Sequence, residues 1–373
     1  MQLVGPDGKQ RNYQEGTPLV DIAPDYQAAY DTPIALGVLN GREVPLQMIP
    51  QEGDRICFLD MNSVESYNTY ISTFLFVLIA ALYCDIKNKI VLSDYDLADV
   101  AAEMKAMIQE KTPITLSFKK KQEAWSYVKP RFYCDQAPLL SALPDDVEIP
   151  VYELDGVSAY FVNPLLPHLG YLKEFELIRM GSGILLRYGK RGHYDRLEPF
   201  ARRDKLAAVY ADSEKMGQRL HCPTVAALNQ FIKRGNSREI ILACEAQHEK
   251  KIAQIADAIA SEERGVRLVL IAGPSSSGKT TFSQRLAVQL RVNGMRPIPI
   301  SMDNYFKERK DTPRLPDGSY DFESLGALDT DLFNEQLHEL LQGKTVTIPH
   351  FSFHTGTRSY RDQKEQLGDD GVL

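Results

Sequence analysis

The chain has 373 residues, of which 43% are hydrophobic and 25% are charged, and its formal net charge is −7. This composition is typical of a soluble globular protein with roughly two to four domains. The negative charge argues against sequence-independent binding to nucleic acid or to an anionic membrane.

The cysteines and the apolar segments indicate the compartment. Five scattered cysteines without C-x-x-C spacing predict a reducing, cytoplasmic environment and argue against a zinc finger. The first residues lack a basic region followed by an apolar run, so we predict no secretory signal. The most apolar stretch, residues 74–82, is too short to span a bilayer and is predicted to be a core helix.

Residues 1–62 are predicted to form a small β-rich domain. Turn signals at residues 5–8 and at Asn40-Gly41 predict two hairpins, and a short helix is expected from Pro18 onward. A last strand is predicted at residues 56–59. Two hairpins around one helix predict a β-grasp fold.

The same segments resemble a known family. The stretches PDGKQRNYQEGTPLVDIA and GDRICFLD resemble the TGS domain at the front of threonyl-tRNA synthetases. The region after it, with HLGYLKEFELIRMGSGILLR at 168–187, resembles the second N-terminal domain of those synthetases, and we assign it to residues 63–237. The resemblance implies an α+β N-terminal half.

The editing residues of that synthetase domain are missing here. The family uses an H-x-x-x-H pair and a later Cys and His, whereas this chain has Ile71, Leu75 and Leu165 at the matching positions. His168 lies nearby, but one histidine cannot replace four ligands. We therefore expect neither zinc nor editing, and a structural or regulatory role.

Residues 238–263 are predicted to be a connector and a helix. Over residues 245–260, Ile252, Ile255, Ala256 and Ile259 share one helical face. His248 and Glu249 lie on the same helix and are predicted to be surface residues, with a nucleotide contact as the alternative.

A phosphate-binding loop begins the last predicted domain, residues 264–373. The preceding residues 267–272 predict a buried parallel strand, and apolar spacing at residues 282–290 predicts a helix. Strand, glycine-rich turn and helix are the context of a working P-loop. The loop matches G-x-x-x-x-G-K-[ST] at every position: Gly273, Pro274, Ser275, Ser276, Ser277, Gly278, Lys279 and Thr280.

The residue types of the loop fit binding of ATP and Mg²⁺. Glycines allow backbone N–H groups to surround a phosphate, and the helix N-terminus adds partial positive charge. Lys279 is suited to neutralise the β- and γ-phosphates, and the Thr280 hydroxyl to hold Mg²⁺. Thr281 completes the predicted cofactor-binding set. An ordinary glycine-rich turn with a solvent-facing lysine is the alternative.

The next strand is predicted at residues 295–303 and ends at an acid. Pro297 and Pro299 lack N–H donors on one side, which predicts an edge strand. Asp303 then falls at the rim where ligands bind in open α/β sheets. The stretches IAGPSSSGKTTFSQRLAVQL and ISMDNYF resemble uridine and cytidine kinases and their phosphoribulokinase relatives.

The resemblance extends over essentially the whole chain to bacterial proteins that fuse TGS, synthetase-like and uridine-kinase-like domains. It implies that Asp303 is the general base or orienting group for the acceptor hydroxyl, with Tyr305 beside it. The alternative is that Asp303 only caps the following turn.

Residues 320–358 resemble the acceptor site of these kinases, with departures. Glu323 takes the place of the ribose-binding aspartate, Asp329 matches a second acid that could only cap a helix, and Arg358 is retained. Phe351 replaces a tyrosine, and Gly356 replaces the base-contacting histidine. A pocket that loses these hydrogen-bond partners loses discrimination, so uridine as acceptor does not follow.

The C-terminal part is thus predicted to be an α/β P-loop kinase domain with a parallel sheet. About a hundred residues follow the P-loop strand, fewer than a full kinase domain, so we expect an incomplete domain that is inactive alone. The leading hypothesis is an ATP-dependent kinase of a nucleoside or similar small molecule, without DNA, RNA or membrane partners and with homo-oligomerisation left open. The alternative is a nucleotide-sensing or RNA-associated regulatory protein without kinase turnover.

Overall fold

The computed structural model describes residues 1–85, 94–128, 140, 143–180, 183–261, 265–274 and 276–373. The chain divides into two compact units, Met1–Arg234 and Gly235–Leu373. Both combine helices and strands, so the molecule is of mixed α and β structure.

The first unit begins with five short strands and a helix. They are β1 (Gln2–Val4), β2 (Gln10–Asn12), α1 (Leu19–Ile22), β3 (Ile34–Leu39), β4 (Arg42–Val44) and β5 (Ile56–Asp60). β1 and β2 form an antiparallel hairpin, and β3 pairs antiparallel with both β4 and β5. A parallel bridge between Val4 and Arg55 joins the two groups in the order β2-β1-β5-β3-β4. Leu19 and Ile22 of α1 are buried in the core of this module.

The predicted turns of this module are confirmed. The Gly8 N–H donates to the Gly5 carbonyl within the first hairpin. Between β3 and β4, Asn40 and Gly41 have φ values of 51° and 81°. Two consecutive positive φ values are typical of the type I′ turn, which suits Asn-Gly because both residues tolerate the left-handed region.

The remainder of the first unit contains helices and two antiparallel sheets. β6, β7 and β8 form a three-stranded antiparallel sheet, and β9 and β10 form a hairpin. The elements are α2 (Val64–Asp85), α3 (Asp94–Gln109), β6 (Thr115–Lys120), α4 (Lys121–Val128), β7 (Glu148–Leu154), β8 (Val157–Tyr160), β9 (Phe175–Met180), β10 (Gly183–Tyr188), α5 (Asp204–Arg219) and α6 (Val225–Lys233).

Helix α2 lies in the main hydrophobic core of this unit. Tyr70 and Phe74 are fully buried, and the Tyr70 hydroxyl donates to the Tyr194 carbonyl at 3.1 Å. The predicted core helix is confirmed, although its apolar segment is longer than residues 74–82, because Val64–Leu82 is long and apolar enough to cross a bilayer. It is the only such helix in the part of the chain that the structure describes, and 61% of its apolar segment is buried within the protein.

The described residues of the second unit form three α-helices and four strands. They are α7 (Ser237–Ala260), α8 (Lys279–Val292), β11 (Arg296–Pro297), α9 (Thr330–Leu341), β12 (Thr345–Ser352), β13 (Thr357–Gln366) and β14 (Gly371–Val372). β12 and β13 form an antiparallel hairpin, and β11 pairs parallel with β14.

The extended segment before the P-loop pairs with the other side of β14. The Val269 N–H donates to the Leu373 carbonyl, and the Leu373 N–H donates to the Arg267 carbonyl, which is parallel pairing. The predicted burial of residues 267–272 was wrong, because Leu270 is 77% exposed. Within the described residues this segment has a neighbour on one side only, which leaves part of it uncovered.

β11 is shorter than the predicted strand 295–303, and the backbone nitrogen of its one proline, Pro297, faces away from β14, as expected. Arg296 and Ile298 donate their N–H groups to the Asp370 and Val372 carbonyls of the β14 segment. Pro297 alternates with these donors and so points its backbone nitrogen to the opposite side. In the described ranges no strand pairs with that side of β11.

Helix α7 packs against helix α8 and begins earlier than predicted, at Ser237. Ile252 and Ala256 are buried against Leu286 and Leu290 of α8, whereas Ile255 is 41% exposed. The prediction that Ile255 shares the buried face was therefore wrong. A residue three positions from Ile252 lies about 60° away around the helix, which takes it to the edge of the contact.

Candidate functional site

The loop at residues 273–280 adopts a backbone that suits phosphate binding. Gly278 is the N-cap of α8 and has a φ of 84°, and Ser276 also has a positive φ, 59°. Only glycine adopts this region without strain, so Gly278 is required for the turn into the helix. Ser275 belongs to the predicted set but lies outside the described residues.

Gly273 is needed for a different reason. A Cβ atom at Gly273 would lie 2.8 Å from the Ser277 Oγ, closer than real Cβ contacts allow. The two ends of the loop therefore approach each other across this glycine. This close approach leaves the backbone, rather than side chains, to line the inner surface of the loop.

Lys279 and the start of α8 concentrate positive charge on the loop. The Lys279 Nζ donates to the carbonyls of Gly273 and Pro274 at 2.8 and 2.9 Å. The first N–H group of α8 that bonds within the helix belongs to Phe282, and it donates to the Gly278 carbonyl. The N–H groups of Lys279, Thr280 and Thr281 precede it and are the donors that a helix N-terminus leaves without helical partners. This donor set fits a nucleotide phosphate.

Thr280 is exposed at this N-terminus, where its hydroxyl is accessible to a cation held by the same phosphates. Within the described residues no group of three or more His, Cys, Asp or Glu side chains could hold a metal. A cation at this site would therefore depend on the phosphates for most of its ligands, as Mg²⁺ does in nucleotide sites.

Asp303 follows β11 on a 3₁₀ turn, Met302–Tyr305. The cap of this turn is Ser301, whose hydroxyl accepts from the Asp303 N–H at 3.3 Å. The Asp303 carboxylate is exposed, and in the described part of the chain it makes no hydrogen bond or ion pair. The structure thus gives turn capping to Ser301 and leaves the Asp303 carboxylate available.

The parallel pairing places the loop and Asp303 at one edge of the sheet. The segment 267–269 and β11 both run parallel to β14, so their carboxyl ends meet at the same edge. The phosphate-binding loop follows the first and Asp303 follows the second. The two strands are separated by β14, so their ends lie about 10 Å apart, two strand spacings.

Tyr305 lies in the interior rather than at the acceptor side. It is 1% exposed, and its ring contacts Phe333 with ring centroids 5.0 Å apart. Its hydroxyl donates to the Gln336 Oε1 at 2.8 Å. Burial raises the pKa of Tyr305 to about 12. Its position supports the turn that carries Asp303, and it offers no surface to a substrate.

Asp329 and Arg358 are brought together as a structural pair. The Arg358 Nη1 donates to the Asp329 Oδ2 at 2.8 Å, and the Asp329 Oδ1 accepts from the Leu332 N–H, which caps α9. The Arg358 Nη2 donates to the carbonyls of Tyr305 and Phe306. Burial opposes ionisation of Asp329, but the hydrogen bonds from Arg358 and the Leu332 N–H, together with the nearby positive charges of Arg358 and Lys307, outweigh it and hold the Asp329 pKa below its usual value.

The other two predicted substrate residues are placed differently from each other. Phe351 is buried and contacts Phe306 and Phe353, with ring centroids 5.7 and 5.1 Å apart. It therefore belongs to an aromatic cluster beneath the surface. Glu323 is exposed, and its carboxylate makes no contact within the described residues.

Arg309 is a residue that the sequence analysis did not consider. Its N–H donates to the Gly356 carbonyl and its Nη2 donates to the Phe353 carbonyl at 2.8 Å. A Cβ at Gly356 would lie 2.4 Å from the Arg309 Cδ. The absence of a side chain at position 356, noted from the sequence, was the available signal that another side chain fills this space.

The comparisons with known proteins include relatives of two kinds, kinases and a tRNA ligase. Residues 268–372 match the Phosphoribulokinase / Uridine kinase family. A uridine kinase of Schizosaccharomyces pombe is 38% identical over 97 residues, 26% of this chain and 21% of that protein. The C-terminal region therefore contains a domain of this family.

Two further comparisons concern a tRNA ligase and a solved structure. A threonine–tRNA ligase of Bacillus velezensis is 23% identical over 278 residues, 63% of this chain and 43% of that protein, which is consistent with a synthetase-like N-terminal region. A solved structure described as a possible uridine kinase from Bacillus stearothermophilus is 30% identical, has a TM-score of 0.30, and matches 34% of this chain and 69% of that one. The chain spans about half or less of the length of the first curated relatives it matches.

Proposed function

We propose that the second unit contributes the ATP-binding loop and the acceptor-facing carboxylate of a kinase that transfers a phosphoryl group from ATP to a hydroxyl group of a nucleoside or a related small molecule. The observation that carries this proposal is the common sheet edge of the phosphate-binding loop and Asp303. A cationic loop beside an available carboxylate is the arrangement that phosphoryl transfer to an alcohol requires.

Each part of the site has a defined task. Bound ATP supplies the phosphoryl group, and Mg²⁺ held with Thr280 neutralises charge on it. Lys279 leaves the carbonyls of its own loop to donate to phosphate oxygens. Asp303 accepts the proton of the acceptor hydroxyl and orients its oxygen toward the phosphorus atom.

We also propose an assignment of domains along the chain. The strand order β2-β1-β5-β3-β4, with one parallel contact at its centre, supports a TGS-like β-grasp domain over residues 1–62. The likeness to a threonine–tRNA ligase supports a synthetase-like domain over residues 63–237. Residues 238–263 then serve as connector and helix, and 264–373 as the kinase region. We assign the protein to the cytoplasm and give the first unit a regulatory role.

The test measures binding and turnover separately. The full chain is titrated with ATP and Mg²⁺ by thermal shift, and ADP release is then scored against a panel of nucleosides and sugar phosphates. We expect Lys279→Ala to abolish the ATP-induced shift, because the variant lacks the cation that donates to phosphate oxygens. The fold should stay intact, because the hydrogen bonds of the Lys279 side chain go to carbonyls of its own loop. An unchanged shift in this variant would remove the phosphate-binding assignment.

The role of Asp303 is tested in the same panel with an acceptor that gives turnover. Asp303→Asn should keep ATP binding and lower the transfer rate by about 10²-fold or more, the usual contribution of a general base. Asp331→Asn, an exposed acid in the first turn of α9, is the matched control and should keep the parental rate. Equal rates for Asp303→Asn and the parent would exclude a catalytic role. ATP binding with no turnover on any acceptor, in a protein that carries a complete kinase domain, would favour a nucleotide sensor.

A further inference from the structure

Three aromatic side chains contact one another in series near the turn that carries Asp303, with interplanar angles of 41° and 69°. The Tyr320 and Phe322 ring centroids are 5.8 Å apart, and those of Phe322 and Phe353 are 6.4 Å apart. We call these three residues the aromatic shelf. Phe353 is 50% exposed and the other two are half-buried, so their faces are accessible.

The shelf is connected to Asp303 through Phe306. Phe306 is buried behind it, with ring centroids 5.9 Å from Phe322 and 5.3 Å from Phe353. It directly follows the 3₁₀ turn Met302–Tyr305. Phe306 therefore places the shelf in the same part of the second unit as the turn that carries Asp303.

Arg309 borders one end of the shelf. Its Nη2 donates to the Phe353 carbonyl, and its aliphatic stem lies on Gly356, where a Cβ would be 2.4 Å from the Arg309 Cδ. Gly356 also has a φ of 70°. Any other residue at position 356 would be strained and would displace the arginine, so the glycine holds the guanidinium in this place.

Arg314 borders the other end. Its Cζ lies 4.3 Å from the centroid of the Tyr320 ring, and its two terminal nitrogens donate to the Gly318 carbonyl and the Tyr320 hydroxyl. These contacts fix the guanidinium against the shelf but bring no negative charge to it.

Neither arginine has an acidic partner within the described residues. No carboxylate lies within 4.0 Å of the charged groups of Arg309 or Arg314. By contrast, Arg358 is paired with Asp329, and Lys310 is paired with Glu308 at 3.0 Å. Two fixed guanidinium groups without counter-charges at the two ends of an aromatic surface are suited to an aromatic ligand that carries an anion.

We propose that the acceptor combines a flat ring with a phosphate group, as a nucleoside 3′-monophosphate does, and is not a neutral nucleoside. The ring lies on the aromatic shelf, Arg309 binds the phosphate, and a free hydroxyl group faces Asp303. This inference rests on the proposed function, because it assigns the substrate class of the same site.

The test measures acceptor binding without ATP, by isothermal titration calorimetry on the full chain. The probes are uridine and adenosine 3′-monophosphates, the two unphosphorylated nucleosides, and inorganic phosphate. We expect a monophosphate to bind about 10-fold or more tightly than its nucleoside, the effect of one charge-assisted hydrogen bond. Inorganic phosphate alone should bind more weakly than either monophosphate, since it has no ring for the shelf.

Two matched variants separate a fixed site from diffuse charge. Arg309→Met keeps the aliphatic stem on Gly356 and should remove the monophosphate preference while leaving nucleoside affinity within about 2-fold. Lys310→Met, which removes the neighbouring cation paired with Glu308, should leave the preference unchanged. Equal affinities for nucleoside and monophosphate, or an equal loss in both variants, would overturn the proposal.

A Lys279→Ala background excludes binding of the probes at the phosphate-binding loop. The monophosphate preference should persist there, and its loss would assign the phosphate to the loop and overturn the inference. Failure of the proposed kinase function would appear as absent transfer with this binding intact. Failure of the present inference would leave the ATP-induced thermal shift of the parent protein intact.

Discussion

Arg358 and Asp329 are 29 positions apart, and their ion pair fixes the backbone next to Asp303, the candidate catalytic residue. Arg358 donates to the carbonyls of Tyr305 and Phe306, the residues that end the turn carrying Asp303. Asp329 is tied to the same turn through its N–H, which donates to the Tyr305 carbonyl at 2.8 Å. At the residue scale, Asp329 and Arg358, both predicted to contact substrate, therefore hold in place the turn that carries Asp303.

Replacement of Arg358 tests this role. Arg358→Ala should destabilise the second unit by about 3 kcal/mol, because it leaves Asp329 and two carbonyls without their partner. Hydrogen–deuterium exchange in α9, which Asp329 caps, should report the loss. Lys344→Ala removes an exposed pair with Glu339 at 3.8 Å and should cost less than about 1 kcal/mol.

The pH dependence gives an independent check of the same pair. The Asp329 pKa is lowered in the folded protein, so its contribution is present above the unfolded value of about 4 and lost as pH falls through the folded value. The difference between Arg358→Ala and the parent should therefore shrink in acid. Equal protection of α9 in both proteins at neutral pH would contradict the assigned role.

At the element scale, α7 supports the helix that begins at the phosphate-binding loop. Glu249 of α7 accepts hydrogen bonds from Arg285 and Gln289 of α8, and these contacts lower the Glu249 pKa. Asn293 donates to Asp257 one helical turn from the end of α7. Glu249 thus contacts the outer face of α8, not a nucleotide, and these polar contacts surround the apolar contact made by Ile252.

Two isoleucines on α7 provide a matched comparison. Ile252→Ala should destabilise the α7–α8 contact by about 2–4 kcal/mol, because Ile252 is 1% exposed and its removal leaves a cavity. Ile255→Ala, on the same helix but 41% exposed, should cost less than about 1 kcal/mol. Faster hydrogen exchange across residues 279–292 measures both. Equal effects of the two variants would show that the helices pack through a different face.

At the scale of the whole molecule, the first unit has a synthetase-like region in which we predict no editing chemistry. Thr73 follows Ile71 by two residues on α2, and its hydroxyl donates to the Thr69 carbonyl and accepts from the Leu166 N–H. Asn163 donates to the Ser72 hydroxyl at 3.2 Å. Hydroxyl and amide groups thus connect α2 to the 161–166 segment, the two places where the sequence comparison expects metal ligands.

We predict that the protein binds no stoichiometric zinc and does not deacylate mischarged threonine tRNA. The reason is the chemistry of Ile71, Leu75 and Leu165, none of which can ligate a metal. Elemental analysis of the purified full chain measures the first part, and a deacylation assay beside an editing-competent synthetase measures the second. One equivalent of zinc per chain would refute this interpretation of the first unit.

Local patterns in the sequence determined the elements whose cause is local. Asn40-Gly41 specified its turn because few other residues accept two positive φ values. Gly278 and Lys279 specified the start of α8, and Pro297 specified which side of β11 stays unpaired. In each case the backbone chemistry of one or two residues is sufficient to specify the local structure.

Only the tertiary structure decided which side chains of the candidate site are accessible. Tyr305 and Phe351 share the aromatic character of Phe353, but the first two are buried and Phe353 is half exposed. Arg309 and Arg358 are both arginines, and only contacts distant in sequence show that Asp329 neutralises the second and leaves the first free within the described residues. Burial and charge pairing depend on neighbours brought together by folding, so no local pattern in the chain could specify them.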